Sequence, residues 1–546
     1  MKSLPALFLL GAVSVGQAAG QGTQPHNHAD HAHEKLGKVN FPVSCAGGVQ
    51  AQFSRAVALL HSFQYEEAEQ GFRQIAQADP SCAMAYWGIA MSTYHPLWVP
   101  PSKEELAKGA AAVEKARAIG AGTEREKAYI EAIGAFYRDH DKLDHRARAL
   151  AYEGAMEQLQ ARFKDDSEAA IFYALALNST ALPTDKTFAN QKKAVAILNT
   201  VFARQPEHPG IAHYIIHNFD TPQLAELALP AARAYSKIAP DSAHALHMPS
   251  HIFTRLALWN DSIQSNLASR AAARRYAGRA FPGRVHWEEL HAMDYLAYAY
   301  LQLGRDTDAE AVAAEAKKVE KLSLENFAAA YAYAAIPARF ALERRDWKEA
   351  AKLSPQPSSF PWDKFGFAEA IFHYANALGA ARLHDPAQAH RAIERMRELH
   401  RKLVDSRDGY WSGQTEVLLK TALAWTVLSE GKNDEALNLM QSAADMEDST
   451  EKHPVTPGAI QPARELLGEM LLQLQRPAEA LAAFEKSLAN NRDRFNGIYG
   501  AARASRLAGN DAKARQYYAR LSSQAQAASR PEVREAREFL SGRAGR

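Results

Sequence analysis

The chain is poor in cysteine: Cys45 and Cys82 are the only two in 546 residues. With no Cys-x-x-Cys pair and no His beside either cysteine, thiolate metal or redox chemistry has little support, and no covalent haem-attachment motif is present. It also lacks a charge excess. Its 64 Lys and Arg face 62 Asp and Glu, leaving a formal net charge of +2. That balance argues against a nucleic-acid partner, which requires a basic surplus to neutralise phosphates. No run reaches the ~18 apolar residues of a membrane span. A Gly-x-x-x-x-Gly-Lys phosphate loop, a Gly-x-Ser-x-Gly elbow and a His-Glu-x-x-His zinc motif are absent too. Any chemistry here has to be assembled from residues that no short local motif announces.

What is present begins at the N-terminus. Residues 1–20 read as a secretory signal: Lys2 supplies the positive end, Leu4–Val15 the apolar stretch, and Ala18-Ala19-Gly20 the small residues for cleavage. An exported protein, periplasmic or secreted, is the expectation. Residues 21–40 form a polar arm carrying His26, His28, His31 and His33 among Asp30 and Glu34, too polar to bury a core and expected to be disordered. Such a tract would bind borderline metal ions loosely, or serve only as a solvated linker. In an oxidising compartment Cys45 and Cys82 are expected to pair, the alternative being two buried free thiols.

From Phe53 onward the pattern is helical, alanine-rich and repeating. Tyr65, Ala68, Phe72 and Asp79-Pro80 carry an Ala-x-x-x-Phe…Pro signature, which returns at Leu467-Gly468, Ala480 and Phe484, and more loosely at Gly509, Ala514 and Tyr518. Over most of residues 50–525 this resembles the tetratricopeptide (TPR) repeat family. The resemblance implies an all-α fold, a right-handed superhelical solenoid of TPR-like helix pairs whose first helices line a concave groove. Neighbouring pairs stack because one pair cannot bury its apolar face alone. Cys-Ala-Met-Ala-Tyr-Trp-Gly at 82–88 and His-Met-Pro-Ser-His at 247–251 further resemble exported bacterial TPR proteins of unassigned activity. The proline-rich stretch 354–362 suggests a division into an array over 41–353 and a second over 363–530, followed by a tail at 531–546. Insertions at 95–100, 275–285, 354–362 and 450–462 are expected as loops on the working face.

Two histidine pairs stand out within the repeats. His213 and His217, then His247 and His251, each have i, i+4 spacing, one helical turn apart on one face. The interval between pairs is 34 residues, the length of one TPR repeat. Equivalent positions of adjacent first helices should therefore present them to a common space, and the next unit adds His291 and Asp294. His244, Asp220 and His286 are secondary candidates. Asp220 also fits a helix N-cap before Thr221-Pro222, and Pro249 threatens to turn His247 away from His251.

Imidazoles with a carboxylate suit a divalent transition metal (Cu, Zn, Fe or Mn) better than Mg or Ca. Three functions remain open from the residues: a binding scaffold with a transition-metal site in its groove, a metal-dependent enzyme using the same cluster, and a metal-free adaptor. In the adaptor, the groove would hold a protein or peptide partner. Oligomeric state is not encoded in any of these features.

Overall fold

The computed structural model describes residues 34–97, 100–182 and 184–542. The signal segment and His26, His28, His31 and His33 lie outside the described residues, as do Trp98 and Val99. The described residues from Lys35 onward form one compact unit. Its described residues are helices joined by short turns, with an isolated bridge between Val285 and Leu322.

The architecture is an all-α solenoid of antiparallel helix pairs. Gln50–His61 packs on Tyr65–Ala78, Pro209–Phe219 on Ala225–Ile238, Trp287–Gln302 on Asp306–Ala316, and Ala463–Gln473 on Pro477–Asn490. The repeat signature acts through size. The Phe484 ring fills the space beside two backbones: a Cβ on Gly468 would lie 2.8 Å from it and one on Gly500 2.2 Å. Neither position accepts a side chain without moving the ring, so glycine there sets the close approach of three consecutive helices.

The solenoid winds tightly enough to touch itself. Helix Gln50–His61 packs against Pro209–Phe219, four pairs further along, and Trp287–Gln302 packs against Phe495–Leu507. At the second closure the Gln302 side-chain oxygen accepts the Phe495 N–H at 2.9 Å, and Arg530 donates to Asp306. Two apolar cores result. One runs from Leu36 to Phe253 and the other from Trp259 to Ala536. The core therefore divides near residues 254–259. Phe360 and Trp362, in the proline-rich stretch, are buried in the second core.

The first described residues belong to the fold. Leu36 and Phe41 are buried, the Lys35 N–H donates to Asp241 at 2.8 Å, and the Lys38 N–H to the Glu207 carbonyl at 2.9 Å. Cys45 and Cys82 form a disulfide, tying the segment entering the first helix to the turn before Ala83–Ser92.

Candidate metal centre

The site sits where the two cores meet. Pro209 begins helix Pro209–Phe219 at its first position, where a missing N–H costs nothing. Gly210 follows; a Cβ there would come 2.6 Å from His61 Nδ1, so glycine lets the helix end of Gln50–His61 approach. The His61 carbonyl is thereby placed to accept a hydrogen bond from His213 Nδ1 at 2.6 Å. On the opposite side of the ring, His213 Nε2 lies 3.0 Å from His217 Nε2 and 3.0 Å from His244 Nε2.

The second group comes from the next repeat. Its first helix divides into Ala243–His247 and Pro249–Arg255, as a proline without an N–H requires. Met248, between them, keeps helical dihedrals (φ −53, ψ −35), and its N–H still reaches the His244 carbonyl at 2.9 Å. The helical path continues, and His247 Nε2 stands 3.0 Å from His251 Nε2. Pro249 does not separate the pair. His291, on Trp287–Gln302, completes the group with its ring centroid 4.4 Å from that of His247. Within each triad (His213, His217, His244; His247, His251, His291) ligand-capable nitrogens lie within 4.8 Å of one another.

The outer nitrogens fix the protonation of the inner ones. Asn266 donates its amide N–H to the Ser262 carbonyl, so its oxygen faces His247 Nδ1 at 2.6 Å and can only accept. His251 Nδ1 lies 3.0 Å from the Asp220 carboxylate, also an acceptor. Both Nδ1 atoms therefore carry the proton in the neutral rings, and both Nε2 atoms carry lone pairs that face each other at 3.0 Å. His213 Nδ1 likewise donates to a carbonyl, so its one Nε2 lone pair faces two other nitrogens, either of which can offer it an N–H or share an ion with it. The Tyr295 hydroxyl, 3.3 Å from His251 Nε2, can donate to one of these lone pairs; a cation between the two nitrogens would satisfy both. Two nitrogens each bound about 2.0–2.1 Å from one ion would stand roughly 3.0–3.4 Å apart.

A proton does not fill that role well. Burial first, and then the neighbouring imidazoles, push the pKa of His213, His217, His244, His247 and His291 well below the ordinary histidine value. His251 is lowered as well, by burial that outweighs Asp220. Asp220 itself is held well below the usual carboxylate range: burial acts against it, but Lys452 and Arg255 win. Lys452 donates to it at 2.8 Å and Arg255 at 2.8 Å. Burial lowers the Lys452 ammonium to about 8.

A third buried cluster serves as a contrast. Glu168 takes His61 Nε2 on one oxygen at 2.8 Å and His208 Nε2 on the other at 2.9 Å, and Tyr214 meets His61 Nδ1 at 2.9 Å. Each of these contacts pairs a donor with an acceptor, so no ion is needed to reconcile them. Its position beneath the His61 carbonyl makes it a buttress for His213.

The structure thus brings together His213, His217, His247, His251 and His291, and adds His244 as a full member. Asp294 is not with them: it pairs with Arg339, with its other oxygen buried and unpartnered. Its register position points along the helix toward the second core. Asp220 is not a helix N-cap. It ends helix Pro209–Phe219, the next helix starts at Ala225, and its carboxylate turns inward to His251. His286 stands apart, packed among Tyr276, Phe281 and Trp287. Asn266, Tyr295 and Lys452 carry no motif. Only the placement of the 450–462 insertion, expected on the working face, hinted at Lys452.

That insertion closes the site. Pro454 and Val455, with Met248, Trp287, Phe327 and Ala328, wall a cavity of about 30 Å³ lined by His217, His244, His251 and His291. On its other side, Lys452, Thr456 and Gly458 border a larger cavity of about 190 Å³ with Tyr331, Phe367, Tyr410 and Trp411. His213, His244, His247, His251 and His291 are buried, and His217 is half-buried at the cavity. His247, at 2% exposure, is out of reach of any peptide. No helix among the described residues is long and apolar enough to cross a membrane.

No protein-family model matches the chain, and no curated protein matches it. Among solved structures it is similar to the human IFIT1 dimer with m7Gppp-AAAA, at 14% identity and a TM-score of 0.38, covering 80% of this chain and 89% of that one. A Naa15/Naa10 complex bound to HypK-THB matches at 13% identity and a TM-score of 0.23, covering 90% and 73%. Likenesses this distant carry no argument about this chain, whose fold rests on its own helix packing.

Proposed function

We propose that this chain is a metalloprotein: an exported, TPR-family solenoid that holds transition metal at a six-histidine centre, five of whose histidines are buried. One observation carries the proposal. His247 and His251 direct unprotonated Nε2 atoms at each other across 3.0 Å while Asn266 and Asp220 hold their Nδ1 protons. Outer acceptors of this kind orient metal-ligating imidazoles and raise their basicity. The donors are all nitrogen, which suits Cu or Zn over Mg or Ca. Three ligands per triad leave coordination positions open, as in sites that perform chemistry and unlike closed structural sites.

Burial of the histidines supports metal binding over a peptide-binding adaptor. The cavity at the open positions supports the metal-dependent enzyme as the second reading. Export is supported by the N-terminal sequence and is compatible with the Cys45–Cys82 disulfide.

The test is elemental analysis of full-length protein in which His26, His28, His31 and His33 are replaced by alanine, purified without chelator. We expect at least one tightly held ion per chain, lost together with His247→Ala and His251→Ala. Retention below about one ion per five chains after exposure to Cu and Zn would reject the centre.

A further inference from the structure

The two triads are side by side and not one shell. Between them the nearest rings are His217 and His251, with centroids 6.2 Å apart, and His244 and His247, 6.4 Å apart. Each triad has its own internal 3.0 Å Nε2 contacts, so each has its own position for an ion. The 30 Å³ cavity is lined by His217 and His244 from one triad and by His251 and His291 from the other. It is thus common to both ions' open sides. A cavity needs ~10–15 Å³ of such space to hold one water, so this one takes a diatomic molecule but no organic substrate. Its remaining walls, Met248, Trp287, Phe327, Ala328, Pro454 and Val455, are apolar.

Charge then selects the ions. All six donors are neutral imidazoles. Asp220 is already paired with Lys452 and Arg255, Asp294 with Arg339, and Glu289 with Arg270 and Arg274. Glu288 remains, 3.6 Å from His244 Nδ1, but burial and the neighbouring Glu67 and Glu66 push its carboxyl up to about 8, so it supplies no fixed negative charge. Two divalent ions would place four uncompensated positive charges in a buried site, a heavy desolvation cost. Two Cu(I) ions halve it, and among metals that imidazole suits, copper is the one with a stable monovalent state.

Resting on the metalloprotein reading above, we infer that the centre is a copper pair, one ion per triad, and that the shared cavity binds dioxygen between them. In the binding step each Cu(I) gives one electron to O2. Two Cu(II) and a bridging O2 dianion result, with no proton taken up or released. The net charge of the centre is +2 before and after, so a site without carboxylate ligands can hold both states.

The experiment uses the full-length chain with the four arm histidines replaced by alanine, loaded anaerobically with Cu(I) and desalted. Copper per chain is measured, then O2 uptake on an electrode, then the Cu(II) EPR signal after oxygenation. We expect two coppers per chain, one O2 taken up per pair, and an EPR signal under a tenth of total copper because the two spins couple. His213→Ala and His291→Ala, each checked for native helical content by circular dichroism, should each hold one copper, take up no O2 and show a full EPR signal when oxidised. The second variant guards against a folding defect in the first, since His213 also bonds the His61 carbonyl. Two coppers without O2 uptake, or one copper per chain, would overturn the pair while leaving the metalloprotein reading intact. Retention of neither copper nor zinc would reject both.

Discussion

Lys452 donates to Asp220 at 2.8 Å across 232 residues of sequence, and the carboxylate that receives it also receives His251 Nδ1 at 3.0 Å. The loop that closes the centre is thereby fastened to the carboxylate that orients one of its ligands. Asp220→Ala leaves Lys452 and Arg255 buried without a counter-charge, which should cost about 3–5 kcal/mol of stability. Losing the acceptor behind His251 should weaken copper or zinc binding by roughly 10–100-fold. The double variant Asp220→Ala, Lys452→Met removes one orphaned cation. It should recover part of the stability in chemical denaturation but none of the metal affinity in competition with a chelator. Equal recovery of both would mean that Asp220 acts only on the fold.

The lowered histidine pKa values predict how the metal-free protein responds to acid. For His213, His217, His244, His247, His251 and His291 the folded value lies below the unfolded one of about 6.5. Below pH ~6.5 the unfolded chain binds protons that the folded chain refuses, so stability falls with falling pH until the folded values are reached. Chelated protein should show a denaturation midpoint that drops steeply between pH 7 and 5. Metal-loaded protein should keep its midpoint over the upper part of that window, because the ion excludes the protons. Coincident pH profiles with and without metal would contradict a metal bound to these side chains.

Much of this was legible in the sequence, for a reason that also sets the limit. Histidines at i, i+4 and at the repeat interval share a face whatever the solenoid does next, so His213, His217, His247 and His251 could be placed together from spacing alone. His291 followed from the same register. Asp294 did not, because three residues along a helix is nearly a full turn but not the same direction, and Arg339 lies on the side it faces. His244 stays a secondary candidate on spacing alone, because spacing within one helix cannot show that His213, from the previous repeat, stands opposite it. The self-contact of the winding was invisible as well. It depends on small rotations summed over several pairs.

Closure by the 450–462 loop makes metal exchange a matter of loop motion. Pro454 and Val455 cover the cavity, and just before them Lys452, bonded to Asp220, and the His453 ring, stacked on Trp411 at 5.0 Å, anchor the loop. Val455→Gly removes apolar wall and loosens the backbone without touching a ligand. Release of bound metal to an excess of chromogenic chelator should speed up several-fold in this variant, with the stoichiometry unchanged. An unchanged release rate would show that ions enter and leave by another route.

The disulfide and the metal should contribute to stability independently. Cys45 and Cys82 close a loop across 37 residues, which by chain entropy alone should stabilise the fold by about 4 kcal/mol. The bridge lies in the first core, at the turn before Ala83–Ser92, and touches none of the six histidines. A chain of ring contacts in the first core leads toward them. Phe53 and Phe72, near the bridge, pack on Trp87, which meets Phe172, and Phe172 stacks on His61 at 4.7 Å. A Cys45→Ala, Cys82→Ala variant should lose most of that stability in guanidinium titration yet bind the wild-type number of ions when folded. If removing the bridge also lowers metal affinity tenfold or more, the His61 buttress relays the strain of the first repeat to His213, and the two contributions are coupled.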